Sequence, residues 1–595
     1  MIAKFIAFSL VGVIGTLAHY SILYILTEFH GFNPVWASGW GALAGLIVNY
    51  VLNYSLTFKS QQSHVQTLPK FTLIASLGLC LNLALMALLT HHLYYLYAQV
   101  VTTAVVLLWN FFANSFWTFQ RDIPGNTVED KPAMMPKVFT GFGLLTIMLA
   151  IRVLTLGLYP LYDPFESRYA EMGRRILETG NWTAPLIDYG ALSLGKPLLP
   201  VWMTASSLWL GGINEFSARL PSVLLSLGMV WIIFHLASVQ RGWDNAWNAV
   251  IILASSVLFF VMSGTVAMEQ GMSFGITLAL ASFWLALRED KSFWAYLFFI
   301  GLSIGVMAKG PIAIALSGIS IGLWTAISGE WMRVWKRLPW FKGALLMLYI
   351  SAPWYLEYFP IGGHWKPFIE SGWTEDGNGG AHTHGMIWVY WLGAALPWSL
   401  VFLKILMTAM VKKKLVELLQ SDDGWRLYCL LWMTSPLLFF TFSANISWTY
   451  VLPGLPGFAL LLSDWLKPSK YRAAFALCVP LSFLGLVIAY QFPNIDFFRS
   501  QKQLVAAYQQ ASHPDERLVY FMERPYSAQF YLQGKALQLA GVTALQDSLT
   551  DSNHDFYVLE KDAVSSLPEA VKLRLEPVKS YGTFSLFHAS GVDGR

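Results

Sequence analysis

The sequence is poor in charge and in cysteine. Only 12% of its 595 residues are charged, against about a quarter in an ordinary soluble domain, which excludes a fold wrapped on all sides by water. The three cysteines, Cys80, Cys429 and Cys478, lie far apart in apolar segments. They have neither the pairing of a disulfide scaffold nor the spacing of a metal site and read as small core residues. Low-complexity tracts are missing. The first apolar stretch, from Phe5 to about Leu26, has no small-residue cleavage site, so it is expected to stay as a span. The net charge of +4 does not point to nucleic acid, because the basic residues sit in short clusters between apolar runs, as the positive-inside rule requires.

What is abundant is apolar surface: 55% hydrophobic residues, with 26 Trp. Apolar runs of about 17 to 25 residues recur, each long enough to cross a bilayer core as a helix, and lipid offers backbone groups no other partners. Residues 1–120 contain four such runs. Lys4, Lys59, Lys70 and Arg121 flank one side and the joints near His30 and His91 carry no Lys or Arg, which places both ends of this module in the cytoplasm. A linker follows at 121–136, with Pro124, Gly125, Pro132 and Pro136. From Lys137 to residue 492 about eleven further spans are expected, with Arg241, Arg288, Arg333, the lysines 412–414 and Arg472 all cytoplasmic. The tail, 493–595, is richer in charge and holds strand-like patches at 517–522 and 554–559. The expected fold is therefore an all-α polytopic membrane protein of about 15 transmembrane helices with a small C-terminal soluble α/β domain.

One segment breaks the charge rule. Tyr159 to Pro200 falls on the non-cytoplasmic side, yet it holds Arg168, Arg174, Arg175 and Lys196 beside Asp163, Glu166 and Glu171. Two explanations stand at this stage: a solvated loop with an amphipathic helix, or an anion site at the outer leaflet.

The ordered set Asp163-Pro-Phe-Glu-Ser-Arg-Tyr-Ala-Glu171, Gly180-Asn-Trp182, Lys196-Pro197, Asn214 to Pro221, Ala308-Lys-Gly-Pro311, Ala381-His382, Pro397-Trp398 and Asn445 to Pro453 resembles the GT-C glycosyltransferases. More narrowly, it is similar to the bacterial branch of the protein mannosyltransferase and aminoarabinose transferase families. The resemblance covers most of 137–490. It implies an inverting transfer of a sugar from a polyprenyl-phosphate donor, with Asp163 as general base or acceptor-orienting group, Glu166 in the same catalytic loop, and Glu269 where relatives usually have Asp. Lys196 matches the family lysine for the carrier phosphate, and Arg168 and Lys309 are further phosphate candidates. His382, Tyr450 and Tyr169 are expected to touch substrate. The chemistry suits these residue types: cations neutralise the departing phosphate while a carboxylate takes the proton of the attacking hydroxyl. Each residue also has a structural alternative. Asp163 could cap a helix starting near Pro164, Lys196 and Lys309 could snorkel to headgroups, and Tyr450 could be an interfacial belt residue.

His364, His382 and His384 share a loop with Glu370, Glu375 and Asp376, but their spacing fits no standard structural metal site. No cofactor is required, although a divalent metal stays open. In residues 1–120, Asn49, Asn53 and Thr57 recur as Asn110, Asn114 and Thr118 at the same spacing, each trio on one helix face. Together with Phe8, Gly12 and Gly15 in the first span, this duplicated helix pair resembles GtrA-like membrane proteins, a family associated with moving polyprenyl-linked sugars or assisting enzymes that use them. The asparagines could bind headgroups or pack helix on helix. The expected partners are a polyprenyl-phosphate sugar, membrane lipid and an extracytoplasmic acceptor (lipid A, glycan or protein). The expected location is the bacterial inner membrane with the active site facing the periplasm. A lipid-linked sugar transporter without transferase activity is the rival reading.

Overall fold

The computed structural model describes residues 134–589 except for 184–185, 189–190, 193–196, 290–291, 363–384, 414–415, 418–422, 444–445, 467–471, 492–498 and 552–553; of residues 1–133 it describes 34–58, 67–76 and scattered positions. The chain divides into two units, Met1–Phe142 and Gly143–Arg595, with the division inside the helix Met134–Thr155.

In the first unit the helix Pro34–Leu52 passes into a π-helical turn, Asn53–Thr57. A small aromatic core joins Phe8, Tyr50, Phe58 and Phe71, with Phe8 6.1 Å from Phe58 and Phe71 5.4 Å from Tyr50. The repeat seen in the sequence recurs as a repeated contact. A Cβ on Gly15 would collide with the Asn49 amide at 2.2 Å, and one on Gly78 would meet the Asn110 amide at 2.8 Å. At both positions the asparagine of the neighbouring span occupies the space a side chain would take, so any larger residue would have to displace it.

The second unit is a helical membrane domain with a sheet-containing tail. Among the described residues, Glu215–Arg241, Met268–Arg288, Ser292–Lys309 and Ala473–Tyr490 are long and apolar enough to cross a bilayer, and Met386–Ala394 with Trp398–Val411 forms a fifth candidate bent by 114°. The uniform ladder of spans expected from hydropathy is thus broken in places. The run starting near 245 stops at Ser255 and resumes at Val257–Met262, and the run near 449 opens as a 3-10 turn, Trp448–Gly454, before the helix Leu455–Trp465. Both sit inside the bundle, where neighbouring helices rather than lipid surround irregular backbone.

Small residues set the tightest packing. A Cβ on Gly275 would lie 2.4 Å from the Gly305 amide nitrogen, and one on Gly301 2.5 Å from that of Ala279. Met268–Arg288 and Ser292–Lys309 therefore run in near backbone contact, as small residues allow between membrane helices. A large aromatic group fills the core beside them, with the Trp284 ring 4.8 Å from Tyr428 and 5.0 Å from Trp425.

In the tail, β3 (Leu518–Phe521), β4 (Leu537–Leu539), β5 (Phe556–Glu560), β6 (Leu575–Tyr581) and β7 (Phe584–Ala589) form one sheet in the order β4-β3-β5-β7-β6. β3 pairs in parallel with β4 and β5, whereas β7 is antiparallel to β5 and β6. The short strands β1 (Leu186–Asp188) and β2 (Ala191–Leu192) form a separate hairpin after the helix Phe165–Thr179.

Candidate active site

The polar loop between Thr155 and Leu199 is folded rather than solvated. Its helix Phe165–Thr179 buries Tyr169, Ala170, Met172 and Ile176 against Val201, Ala205, Val266 and Phe530. Two of the unexpected basic residues are spent within the loop. Arg174 Nε and Nη2 donate to the two Glu171 carboxylate oxygens at 2.7 and 2.8 Å, and Arg175 donates to Glu171 at 2.8 Å and to Asp188 at 3.0 Å. Glu171 is wholly buried, so these two arginines are the counter-ions of an internal carboxylate, as burial of such a charge demands. Neither explanation offered for them by the sequence, solvation or anion binding, describes that arrangement.

Glu166 is equally committed. Its carboxylate receives two Arg219 hydrogen bonds at 2.7 Å and the amides of Tyr162 and Val266 at 3.2 Å each. Arg219 also donates to the carbonyls of Leu156, Tyr159 and Pro160, and both side chains are buried. Through these contacts Glu166 ties the loop to Arg219 and to the turn at Val266.

Asp163 meets the tail. Its carboxylate accepts from the Ser167 and Ser527 hydroxyls and from the Ser527 amide at 3.0 Å, and its own amide donates to the Arg499 carbonyl at 2.8 Å. The helix-cap alternative is not realised, since Pro164 occupies the cap position and no side chain caps that helix. Burial pushes the Asp163 carboxyl up from its ordinary 3.8 to about 6, against hydrogen bonds from Ser167 and Ser527 that pull it down. Further contacts fasten the tail to the loop end of the bundle: Lys502 to Glu215 at 2.5 Å, the Tyr531 hydroxyl to Glu215 at 3.1 Å, and Arg524 to Asp188 at 2.7 Å. Ser527 was not foreseen, and no local signal marks it, because it lies 364 residues from Asp163.

A second acidic centre forms where the two glycine-packed helices end. Glu269, in the first turn of Met268–Arg288, meets Lys309, in the last turn of Ser292–Lys309, at 2.5 Å. Thr449 donates to the same Glu269 oxygen at 3.3 Å, and the Lys309 ammonium stands 4.3 Å from the centre of the Tyr450 ring. Tyr450 is buried and packs on Phe440 at 4.7 Å, so it is not a belt residue at the lipid boundary. Gly310, with φ of 83°, turns the chain directly after Lys309, a conformation that favours glycine. Two residues after Glu269, a Cβ on Gly271 would lie 3.0 Å from the Ala308 Cβ and 3.7 Å from Pro200. The start of the helix Leu199–Gly211 therefore packs beside Gly271. Lys196 and His382, like His364 and His384, lie outside the described residues. Arg168 stacks over the Tyr169 ring at 5.1 Å, and its Nη2 donates to the Tyr169 hydroxyl at 3.3 Å.

The structure thus brings Glu269, Lys309 and Tyr450 together, and separately joins Asp163 to the tail and Glu166 to Arg219. Residues 7–119 match the family model of the GtrA/DPMS transmembrane domain, and residues 137–364 that of dolichyl-phosphate-mannose-protein mannosyltransferase. Among curated proteins, the undecaprenyl phosphate-alpha-4-amino-4-deoxy-L-arabinose arabinosyl transferase of Erwinia tasmaniensis is 28% identical over 336 residues, 52% of this chain and 56% of that protein. A transferase of the same description from Proteus mirabilis is 29% identical over 331 residues, again 52% and 56%. The match spans little more than half the length of these relatives. The crystal structure of ArnT from Cupriavidus metallidurans bound to undecaprenyl phosphate superposes with a TM-score of 0.63 at 18% identity, covering 75% of this chain and 97% of that one, a likeness of fold. The chain is therefore similar over residues 7–119 to the GtrA/DPMS transmembrane domain and over 137–364 to the mannosyltransferase domain, and it shares the fold of ArnT.

Proposed function

We propose that this chain is an inverting membrane glycosyltransferase that moves a sugar from a polyprenyl-phosphate donor to an acceptor on the periplasmic side of the bacterial inner membrane. In this reading residues 1–120 are a four-helix donor-handling domain, 121–136 a cytoplasmic linker, 137–492 the transferase bundle and 493–595 a periplasmic domain. The count of about 15 spans belongs to the same proposal. The names of the relatives support a lipid-linked aminoarabinose as donor, and the acceptor in this reading is lipid A, a glycan or a protein.

The observation that carries the reading is the Glu269–Lys309 pair beside Tyr450. A carboxylate and an ammonium this close at the end of two membrane helices are costly to maintain and mark function rather than packing. In the reaction the acceptor oxygen bonds to the anomeric carbon as the bond from that carbon to the phosphate oxygen breaks. Glu269 takes the acceptor proton, and Lys309, with Lys196 and Arg168, neutralises the departing phosphate. Lys309 has one ammonium for two anions. Arrival of the donor phosphate draws it from Glu269 and leaves that carboxylate a stronger base, which couples donor binding to activation of the acceptor. Asp163 holds the tail over the loop in this scheme and positions the acceptor, with His382 and Tyr169 as further contacts.

The N-terminal asparagines support donor handling. Among the described residues, the buried side-chain oxygens of Asn49, Asn53, Thr57, Asn110 and Asn114 have no hydrogen-bond partner. Buried polar groups are nearly always paired, and a row of unpaired ones suits a polar headgroup passing along it.

The test is mass spectrometry of envelope lipids, glycans and proteins from cells with and without the chain. Loss of one sugar modification is expected; an unchanged envelope would favour the transporter without transferase activity. Deleting residues 1–120 is expected to lower transfer in intact cells while leaving it intact in detergent, where donor reaches the site without crossing a membrane.

A further inference from the structure

Three strands of the tail bring nitrogen and oxygen donors to one place, remote in the chain from every residue of the proposed transferase site. Leu518 of β3 is in register with Phe556 of β5, and Phe556 with His588 of β7. Stepping back two residues along β3 and β5 keeps the same face of the sheet, which puts Glu516 and His554 on the face that carries His588. The pairing continues beyond the strands themselves: the Arg517 amide donates to Asp555 Oδ1 at 2.8 Å, and the Phe556 amide to the Arg517 carbonyl at 2.9 Å. One donor atom from each of Glu516, His554 and His588 falls within 4.8 Å of the others.

From this register we infer that Glu516, His554 and His588 form a divalent metal site, with zinc as the ion that two imidazoles and one carboxylate suit best. Direct pairing accounts poorly for the cluster. Glu516 Oε1 and His588 Nε2 are 3.8 Å apart, too far for a hydrogen bond, and a central ion bonded at about 2.0 to 2.2 Å to each ligand would close that gap. The carboxylate is already oriented for the task. Its other oxygen, Oε2, accepts from the His513 amide at 2.7 Å, and the Tyr508 hydroxyl holds the Glu516 carbonyl at 2.6 Å, the kind of outer contact that fixes a metal ligand in place. The Phe556 ring, 4.7 Å from the His588 ring, restricts that imidazole from one side. His554 is exposed and free to swing onto the ion, and the fourth position is left to water. The donors lie at the start of β3, whereas Ser527 follows its other end, so a bound ion would brace the tail without touching Asp163.

The test uses the full-length protein in detergent, stripped of metal with a chelator, equilibrated with Zn2+ alone and counted by elemental mass spectrometry. Wild type is expected to hold one Zn2+ per chain more than His554→Ala, and Glu516→Gln is expected to bind at that site at least about tenfold more weakly. Because the His554 side chain is exposed, its replacement leaves the sheet packed, and any ion held by the histidines of residues 364–384 is common to all three proteins and cancels. Zn2+ should raise the thermal midpoint of wild type and leave that of His554→Ala unmoved. Equal stoichiometry and affinity in wild type and both variants would overturn the assignment, as would a thermal shift of equal size in all three.

Discussion

The two charged ends of the helical bundle are built differently. At the end that carries Asp163, the pairs Glu166–Arg219 and Glu171–Arg175 are almost fully buried. At the opposite end, Arg241 bridges Asp423 and Asp464, Arg426 also reaches Asp464, and Arg288 holds the Asp423 carbonyl, with the Arg241 and Arg426 side chains 28% exposed and Arg288 exposed. Half-wet pairs act as weak clasps between helix ends. Buried pairs gain little net stability over apolar packing, so their confinement, among the described residues, to one end indicates that charge is wanted there for a reason other than folding. Glu269 and Lys309 lie at that same end.

Four perturbations test this contrast, from the largest effect to the smallest. Glu269→Gln is expected to lower turnover by about 10²- to 10⁴-fold, the scale of losing a general base, with little change in folding; single-turnover product formation reads it. Glu166→Gln should destabilise the bundle by about 3 to 5 kcal/mol, because the buried Arg219 charge loses its counter-ion; unfolding in detergent measures this. Asp163 carries a pH signature. Its folded pKa of about 6 lies above its ordinary 3.8, so the tail contact is strongest below the ordinary value, weakens as pH rises from there through about 6 and levels off above it. Amide exchange of residues 525–531, corrected for intrinsic rates, should follow that course in wild type and stay flat in Asp163→Asn. Asp423→Asn, at the opposite end, should cost no more than about 1 kcal/mol and less at high salt.

Much of this was legible in the sequence and some was not, for physical reasons. Charge asymmetry placed Arg241, Arg288 and Arg333 at one end, and the structure gathers them there: Arg333 donates to the Leu287 carbonyl beside Arg288. Short apolar, aromatic-bearing runs marked β3 and β5, which the structure buries along nearly their whole length. The pairing of Glu269 with Lys309 was not foreseen although both were singled out, because it depends on the close approach of Gly275 and Gly305, which hydropathy does not report. Glu166 was singled out from its place in the loop motif, but its partner Arg219 lies 53 residues on, and only the folded chain reveals that pair. The joining of Asp163 to Ser527 was invisible, since a contact between the first loop and the tail leaves no periodic trace.

The most direct measurement of the central claim is release of polyprenyl phosphate and transfer of sugar by the purified full-length protein supplied with a polyprenyl-phosphate sugar and lipid acceptor, with Lys309→Met beside wild type. Product from wild type, with loss of at least about a hundredfold in the variant, is the predicted result. Transfer by Lys309→Met at the wild-type rate would contradict a site built on Glu269 and Lys309.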